Sequence, residues 1–410
     1  MNNAIRASEY CDNVFDGTHA TPKPTSKGFK LITSKHIMHG ELDKGNAYFI
    51  SEHDYNEINK RSRIKQWDVL FSMIGTVGNV YIEKSEDIDY AIKNLGAFSC
   101  KNKDEAKWLY YYLKSPLAQS IINNYLLGAV QKFLPLDALR NFPIPQYNKN
   151  CKWIIELLES LDNKVNANQE ICSELESMSQ DLYHYWFTQF DFPDEKGRPY
   201  KSSGGKMVWC EELGREIPKG WKVQKLAEVV TITLGGTPDT KKRAFWENGD
   251  ISWLNSGEIA NFPVLAAEAK ITQEAIDNSA TLLLRAGSVA LSITRYIRPT
   301  ILGIDACINQ SVVGIEETAA HKNSFLYPFI CSQVSRYMSL RIGAMQPHIN
   351  KEIVDETLIV LPSDRVLREY YMIADTIFAK ILTTSKESLE LARLRDFLLP
   401  LLMNGQVQVS

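Results

Sequence analysis

Arg295, Tyr296 and Arg298 stand together in one short stretch, SITRYIR, spanning 292–298. Two guanidiniums around an aromatic ring, on a loop that follows a strand-like run, suit bidentate hydrogen bonding to a guanine edge or a clamp on phosphate. The same stretch also reads as a salt-bridged surface loop. Two Lys-rich stretches come next. TKKR supplies Lys241, Lys242 and Arg243 shortly after Thr237, and TPKPTSKGFK supplies Lys23 and Lys27 shortly after Thr18 and His19, with Lys35 beyond. Both suit phosphate contacts, and both are equally ordinary as solvated faces.

Catalytic chemistry is expected to be absent. The chain has no Gly-rich phosphate loop of the P-loop type and no Asn/Asp-Pro-Pro-aromatic tetrapeptide of the adenine-methylating kind. HIMH sets His36 and His39 three apart without Cys or acidic partners at ligand spacing, so ordinary surface or packing histidines are expected and no metal. FPDEKG superficially pairs carboxylates, yet its Pro and Gly read as a solvated turn. The seven cysteines are scattered with no CxxC spacing, which points to reduced thiols.

The elements that position these residues are written twice. ASEYC at Ala7 pairs with LAEVV at Leu226, Gly17-Thr18 with Gly236-Thr237, FKLITSKHI with ISWLNSGEI, and DVLFS with SVALS. GAVQ at Gly128 pairs with GAMQ at Gly343. Five weak matches in one order, at a nearly constant offset, mark an internal repeat. Gln131 and Gln346 are of the type that reads adenine edges, but a Gln kept in both copies is expected to hold a backbone loop. Lys132 and His348 beside them differ between the copies and are the better selectivity candidates. The copies also part at the Arg loop: SMIGTVG in the first stands against SITRYIR in the second, aligning Arg295 and Arg298 with Gly75 and Gly78.

Two long helices follow the same rule. Leu158, Leu161, Val165, Asn168, Cys172, Leu175, Ser179, Leu182 and Trp186 step by three and four. Adding 216 gives Ala374, Ile377, Ile381, Thr384, Ser388, Leu391, Arg395, Leu398 and Leu402, one heptad seam written twice. Each helix is expected to run about 35 residues, or roughly 50 Å. Asn168 and Thr384 are expected to fix register rather than do chemistry. The fold class is α+β: two similar mixed α/β modules separated by two long helices forming an antiparallel coiled coil, related by a pseudo-two-fold repeat. The modules are expected at 1–147 and 212–363, the helices at 148–190 and 364–410, and a Gly/Pro/Lys-rich linker at 191–211. On this plan the modules sit at opposite ends of the rod, and the C-terminal segment returns to the start of the first module.

Composition sets the outer bounds. A chain of 410 residues, 44% hydrophobic, folds as several globular domains. No apolar run approaches 18 residues and no signal-peptide pattern opens the chain, so a soluble, cytoplasmic protein is expected. The net charge of −3 hides a basic first module, with 18 Lys/Arg against 16 Asp/Glu in 1–147, and an acidic first helix, with 2 against 7 in 152–190.

The chain resembles the specificity subunits of type I restriction–modification systems over nearly its whole length. The residues that carry the resemblance are LGREIPKGWKVQKLAEVVTITLGGTPDTKKRAFWENGDISWLNSGEI (213–259), LYHYWFTQFDF (182–192) and LRDFLLPLLMNGQVQV (394–409). The resemblance implies two target recognition domains on double-stranded DNA and a split, asymmetric target with one half-site per domain. It implies partners: a methylation subunit, usually in two copies, and a nuclease/translocase subunit. The cofactor S-adenosylmethionine would then belong to the methylation subunit and none to this chain. Phe397, Leu398, Leu401, Leu402 and Met403 either close the core against the first module or offer a dock for partner helices. Two other classes compete with this one: a non-catalytic scaffold whose two heads bind proteins, and a stand-alone enzyme with an unrecognised site.

Overall fold

The duplicated phrases fold into duplicated strand pairings. In the first copy, Asn13–Asp16, Leu95–Ser99, Val69–Ser72 and Val80–Ile82 form a four-stranded antiparallel sheet in that order; in the second, Ile232–Leu234, Val312–Ile315, Val289–Ser292 and Arg298–Ile301 form the same sheet. Each copy adds a parallel pair, Phe29–Ile32 with Tyr90–Ile92 and Ile251–Leu254 with Ala306–Ile308. Each also closes its first strand on its last, Ala4–Arg6 on Pro143–Pro145 and Lys222–Lys225 on Leu358–Leu361. The central strands are uninterrupted apolar runs because both faces are covered, as in Val289–Ser292, buried throughout. The hairpin Met207–Cys210 with Arg215–Pro218 belongs to the second copy alone among the described residues. These are taken from a computed structural model that describes residues 4–38, 40–128, 132–343 and 345–403. Gln131, His39 and the tail beyond Met403, all singled out above, lie outside the described residues.

The chain divides into two compact units, 1–163 with 391–410, and 164–390. Both boundaries fall inside the long helices, Lys149–Tyr183 and Asp364–Met403, so each unit owns a stretch of each helix. In the second unit Asn168 donates to Glu387 (2.9 Å) and Cys172 meets Ser385 (3.3 Å), which makes the two stretches antiparallel. In the first unit Arg395 donates to Asp162 (2.7 Å), while the hydroxyl of Tyr111 donates to the other oxygen of that carboxylate (2.8 Å). The heptad positions are the buried ones: Leu158, Leu161, Val165, Ile377 and Ile381 are all within the core, with Leu175, Leu182, Leu391 and Leu398 half-buried. Asn168 and Thr384 are buried at matching places in the seam. Their burial costs stability relative to leucine and favours one register over its neighbours.

Three local details shape these elements. The stretch 105–126 is two helices, Lys103–Lys114 and Pro116–Tyr125, because Pro116 offers no N–H and the Ser115 hydroxyl caps the second by accepting from the amide of Ala118 (3.3 Å). The linker is folded: Phe192 stacks on Tyr200 and on Trp221, with centroids 4.7 and 4.9 Å apart, and Asp194 closes the 194–198 turn on Arg198. The Asp194 carboxylate is therefore spent on a turn. The first long helix ends in a five-residue π-turn, His184–Thr188, that swings Trp186 and Phe187 into the aromatic core of the second unit. At the other end of the seam, Leu399, Leu402 and Met403 share a buried cluster with Ala7, Tyr10 and Leu158 in the first unit, whereas Phe397 stays 67% exposed. No helix among the described residues is long and apolar enough to cross a membrane.

Candidate nucleic-acid interface

The sharpest candidates project from a junction present in both copies. Each hairpin turn leans on the loop that follows the helices. In the first copy the amide of Gly75 donates to the carbonyl of Lys132 (3.4 Å), and Leu134 donates back to Met73 (2.9 Å). In the second, Arg295 donates to Pro347 (2.9 Å) and Ile349 to Ile293 (3.0 Å). Short bridges reinforce both, Ile74 to Phe133 and Leu127 to Phe133 in one, Thr294 to His348 and Ile342 to His348 in the other. The Arg loop and the Gly-Ala-x-Gln loop, far apart in sequence, are thus one structural feature.

The junction also corrects an alignment. Arg295 does stand where Gly75 stands: both are left-handed, with φ of 56° and 79°. Arg298 does not replace Gly78. It pairs with Ser292 across the hairpin, whereas in the first copy the residue tied to Ser72 is Asn79, whose carbonyl accepts from the Ser72 amide (2.9 Å). The second turn is one residue shorter, and no counterpart of Gly78 exists. A left-handed arginine costs roughly 1–2 kcal/mol against glycine. What holds it is a brace: the Arg341 guanidinium donates to the carbonyls of Arg295 (3.2 Å) and Met338 (3.0 Å). Neither Arg295 nor Arg298 pairs with a carboxylate among the described residues, and Tyr296 is 75% exposed between them.

The lysine-rich loops lie over the parallel strand pair. In the first copy the amide of Thr18 donates to Ile92 (3.1 Å), and His19 bridges Asn94 (3.0 Å) and Asp16 (2.9 Å). Asp16 and the carbonyl of Gly17 also accept from Arg61 (3.3 and 3.2 Å), and Lys93 reaches the Thr21 hydroxyl. His19 is accordingly a member of a hydrogen-bonded set, while Lys23, Lys27 and Lys35 are exposed. In the second copy Gly236 donates to Ile308 (2.9 Å) and the Thr237 hydroxyl meets Gln310. Lys241 is exposed, Lys242 lies over the Phe245 ring at 4.9 Å, and Arg243 faces Glu247 at 3.8 Å. Arg243 thus carries its own counter-charge, and the fuller cation is Lys241. Lys132 is exposed and His348 half-buried at the junction. Gln346 is exposed, and its main-chain carbonyl, not its amide, meets His348 (3.1 Å), so its side chain is not what ties the loop.

Sequence reading missed Arg61, Lys93 and Arg341. Lys93-Asn94 and Asn309-Gln310 follow equivalent strands, and extending the repeat to them would have flagged the pair. Arg341 gave no signal of its own, because its partner lies 46 residues away.

His36 is not a metal candidate. It is 1% exposed, and its Nδ1 accepts from the amide of Thr33 (2.9 Å), capping the short turn Ser34–His36. No cluster of three metal-ligating side chains exists among the described residues. Burial, aided by Lys35, holds the imidazole below its usual range, and burial does the same to His321. An unfolded histidine takes up a proton as pH falls below about 6.5, and the folded ones resist until lower pH. Stability is therefore full above about 6.5 and is lost progressively as pH falls toward the depressed folded values. Unfolding midpoints followed across pH 7 to 5 should decline, and His36→Asn, which keeps an acceptor for Thr33, should flatten that decline.

Comparison with known proteins places these features in context. The family model described as "Type I restriction modification DNA specificity domain" matches residues 21–177 and 218–393. The chain is 20% identical over 314 residues to the type I restriction enzyme MjaIX specificity subunit of Methanocaldococcus jannaschii, covering 74% of this chain and 70% of that one. It is 25% identical over 264 residues to the EcoR124I/EcoR124II specificity subunit of Escherichia coli, covering 61% and 58%. Among solved structures, the type I restriction–modification S subunit from M. genitalium has the same fold, with a TM-score of 0.54 at 14% identity, over 98% of this chain and 95% of that one.

Proposed function

Because the chain belongs to the type I restriction modification DNA specificity family, we propose that it is the sequence-reading component of a restriction–modification assembly. It takes one half of a split, asymmetric DNA target with residues 1–147 and the other with residues 212–363. It carries out no catalysis. Two copies of a methylation subunit, holding S-adenosylmethionine, and a restriction/translocase subunit act on the site it selects. The observation that carries this reading is the junction built twice on the same backbone hydrogen bonds, with Gly75, Lys132 and Phe133 in one copy where Arg295, Pro347 and His348 stand in the other. A shared scaffold with divergent exposed side chains is what two readers of different sequences need. For the partners, each unit exposes large apolar side chains on its own stretch of the long helices, Met178 and Met372 in the second and Phe397 in the first, which partner helices would cover.

The test is to co-express the chain with its genomic neighbours and map methylated adenines in host DNA. A two-part motif with a constant spacer supports the reading. Arg295→Ala with Arg298→Ala should change one part of the motif and leave the other intact. A continuous palindrome, equal loss of both parts, or turnover by the purified chain alone would count against it.

A further inference from the structure

The junction of the second copy offers more than a positive charge. Phosphate contact asks only for charge, and a flexible lysine on an open loop supplies it; Lys241 is such a group. Arg295 is built differently. Its amide is tied to Pro347 and its carbonyl to Arg341, so the root of the side chain is fixed on both sides of its Cα. Its backbone is left-handed, a conformation that glycine holds at the matching place in the first copy. No carboxylate of the chain neutralises it among the described residues. A planar fork launched from a fixed point, with no internal partner, matches a pair of acceptors at fixed spacing. In double-stranded DNA that pair is O6 and N7 on the major-groove edge of guanine.

We infer that Arg295 reads one guanine in the half-site of the second recognition domain, and that Arg341 is the positioning residue that sets where its guanidinium lands. The inference rests on the DNA-recognition reading above and adds the base and the residue. The first domain, with Gly75 at the same point of the same backbone, has no side chain there and takes no base from that position. Arg298, rooted in the strand opposite Ser292, remains available for the backbone beside it.

The experiment is selection of bound duplexes from a randomised library by the full chain assembled with its methylation partner. Arg295→Gly restores the residue that the backbone accommodates most readily, so folding is preserved, and the unfolding midpoint serves as the control. The expected result is loss of preference at a single guanine in one half of the motif, by about 5- to 150-fold, with every other position unchanged. Arg295→Lys, which keeps the charge and loses the fork, should relax the same position. In the wild-type target, 7-deazaguanine at that position removes N7 and should weaken binding, and Arg295→Gly should then cost less than on the natural target, because only the O6 contact is left to lose. Arg341→Ala should relax that position and no other, an outcome that general destabilisation does not produce. If Arg295→Gly weakens all sequences evenly, Arg295 is a phosphate contact and the inference fails while the recognition reading stands. If the wild-type assembly enriches no sequence at all, the recognition reading itself fails.

Discussion

Phe187→Ala should lower the stability of the second unit by about 3–5 kcal/mol, the usual cost of emptying a buried phenylalanine site. Phe187 is 2% exposed and meets five aromatic rings: Tyr370 at 4.8 Å, Phe325 at 5.0 Å, Tyr183 at 5.1 Å, Trp221 at 5.9 Å and its neighbour Trp186 at 6.2 Å between centroids. Two of these contacts, with Phe325 and Tyr370, are edge-to-face, worth roughly 0.5–1.5 kcal/mol each beyond area burial. The ring is central because the π-turn at His184–Thr188 redirects the helix end into the core formed by Phe325, Tyr370 and Trp221. Scanning calorimetry should show a drop of roughly 6–20 °C in one transition. An unshifted transition would mean that the aromatic cluster is not the anchor of this helix end.

Leu402→Ala should destabilise the first unit by about 2–5 kcal/mol. Leu402 is 2% exposed and lies in the cluster that contains Ala7, Tyr10, Leu158 and Leu399, so its loss empties a site walled by both ends of that unit's sequence. Phe397 sits five residues earlier on the same helix and is 67% exposed. Phe397→Ala should therefore change stability by no more than about 0.5 kcal/mol. Denaturant unfolding of both variants decides between the two roles open to this segment from sequence. If the two substitutions cost the same, the division into a core-closing face and an outward face is wrong.

How much of this was legible beforehand follows the physics of each signal. The repeat, the paired helices and the seam were plain, because period and offset survive loop insertions. Leu158, Ile381 and Asn168 fell on the buried stripe for that reason. Arg298 was misaligned because one residue is missing from the second turn, and offset matching cannot say on which side of Arg295 the deletion falls. The pairing with Ser292 shows the shorter turn, and the shared left-handed position of Gly75 and Arg295 puts the deletion after Arg295. His36 looked like a surface or packing residue, and its capping bond needed the turn geometry. Arg61 and Arg341 act through main-chain carbonyls 44 and 46 residues away. Such contacts leave no trace in periodicity or composition. The Pro- and Gly-rich 192–206 stretch read as a plain linker because its order comes from ring stacking on Trp221, not from local propensity.

The membership of 391–403 in the first unit has a consequence for synthesis. A ribosome releases residues in order, and the first unit's leading part ends at Asn163. Leu399, Leu402 and Met403, which complete its core, emerge only after the intervening 164–390 have been made. At about 5–20 residues per second that interval is roughly 11–45 s. Throughout it the nascent first unit presents the apolar surface around Leu158 that those side chains will cover, while the second unit can assemble from one uninterrupted length of chain. The half made first is thus the half finished last, and it is the one that gains most from a chaperone or from slow handling at the ribosome exit.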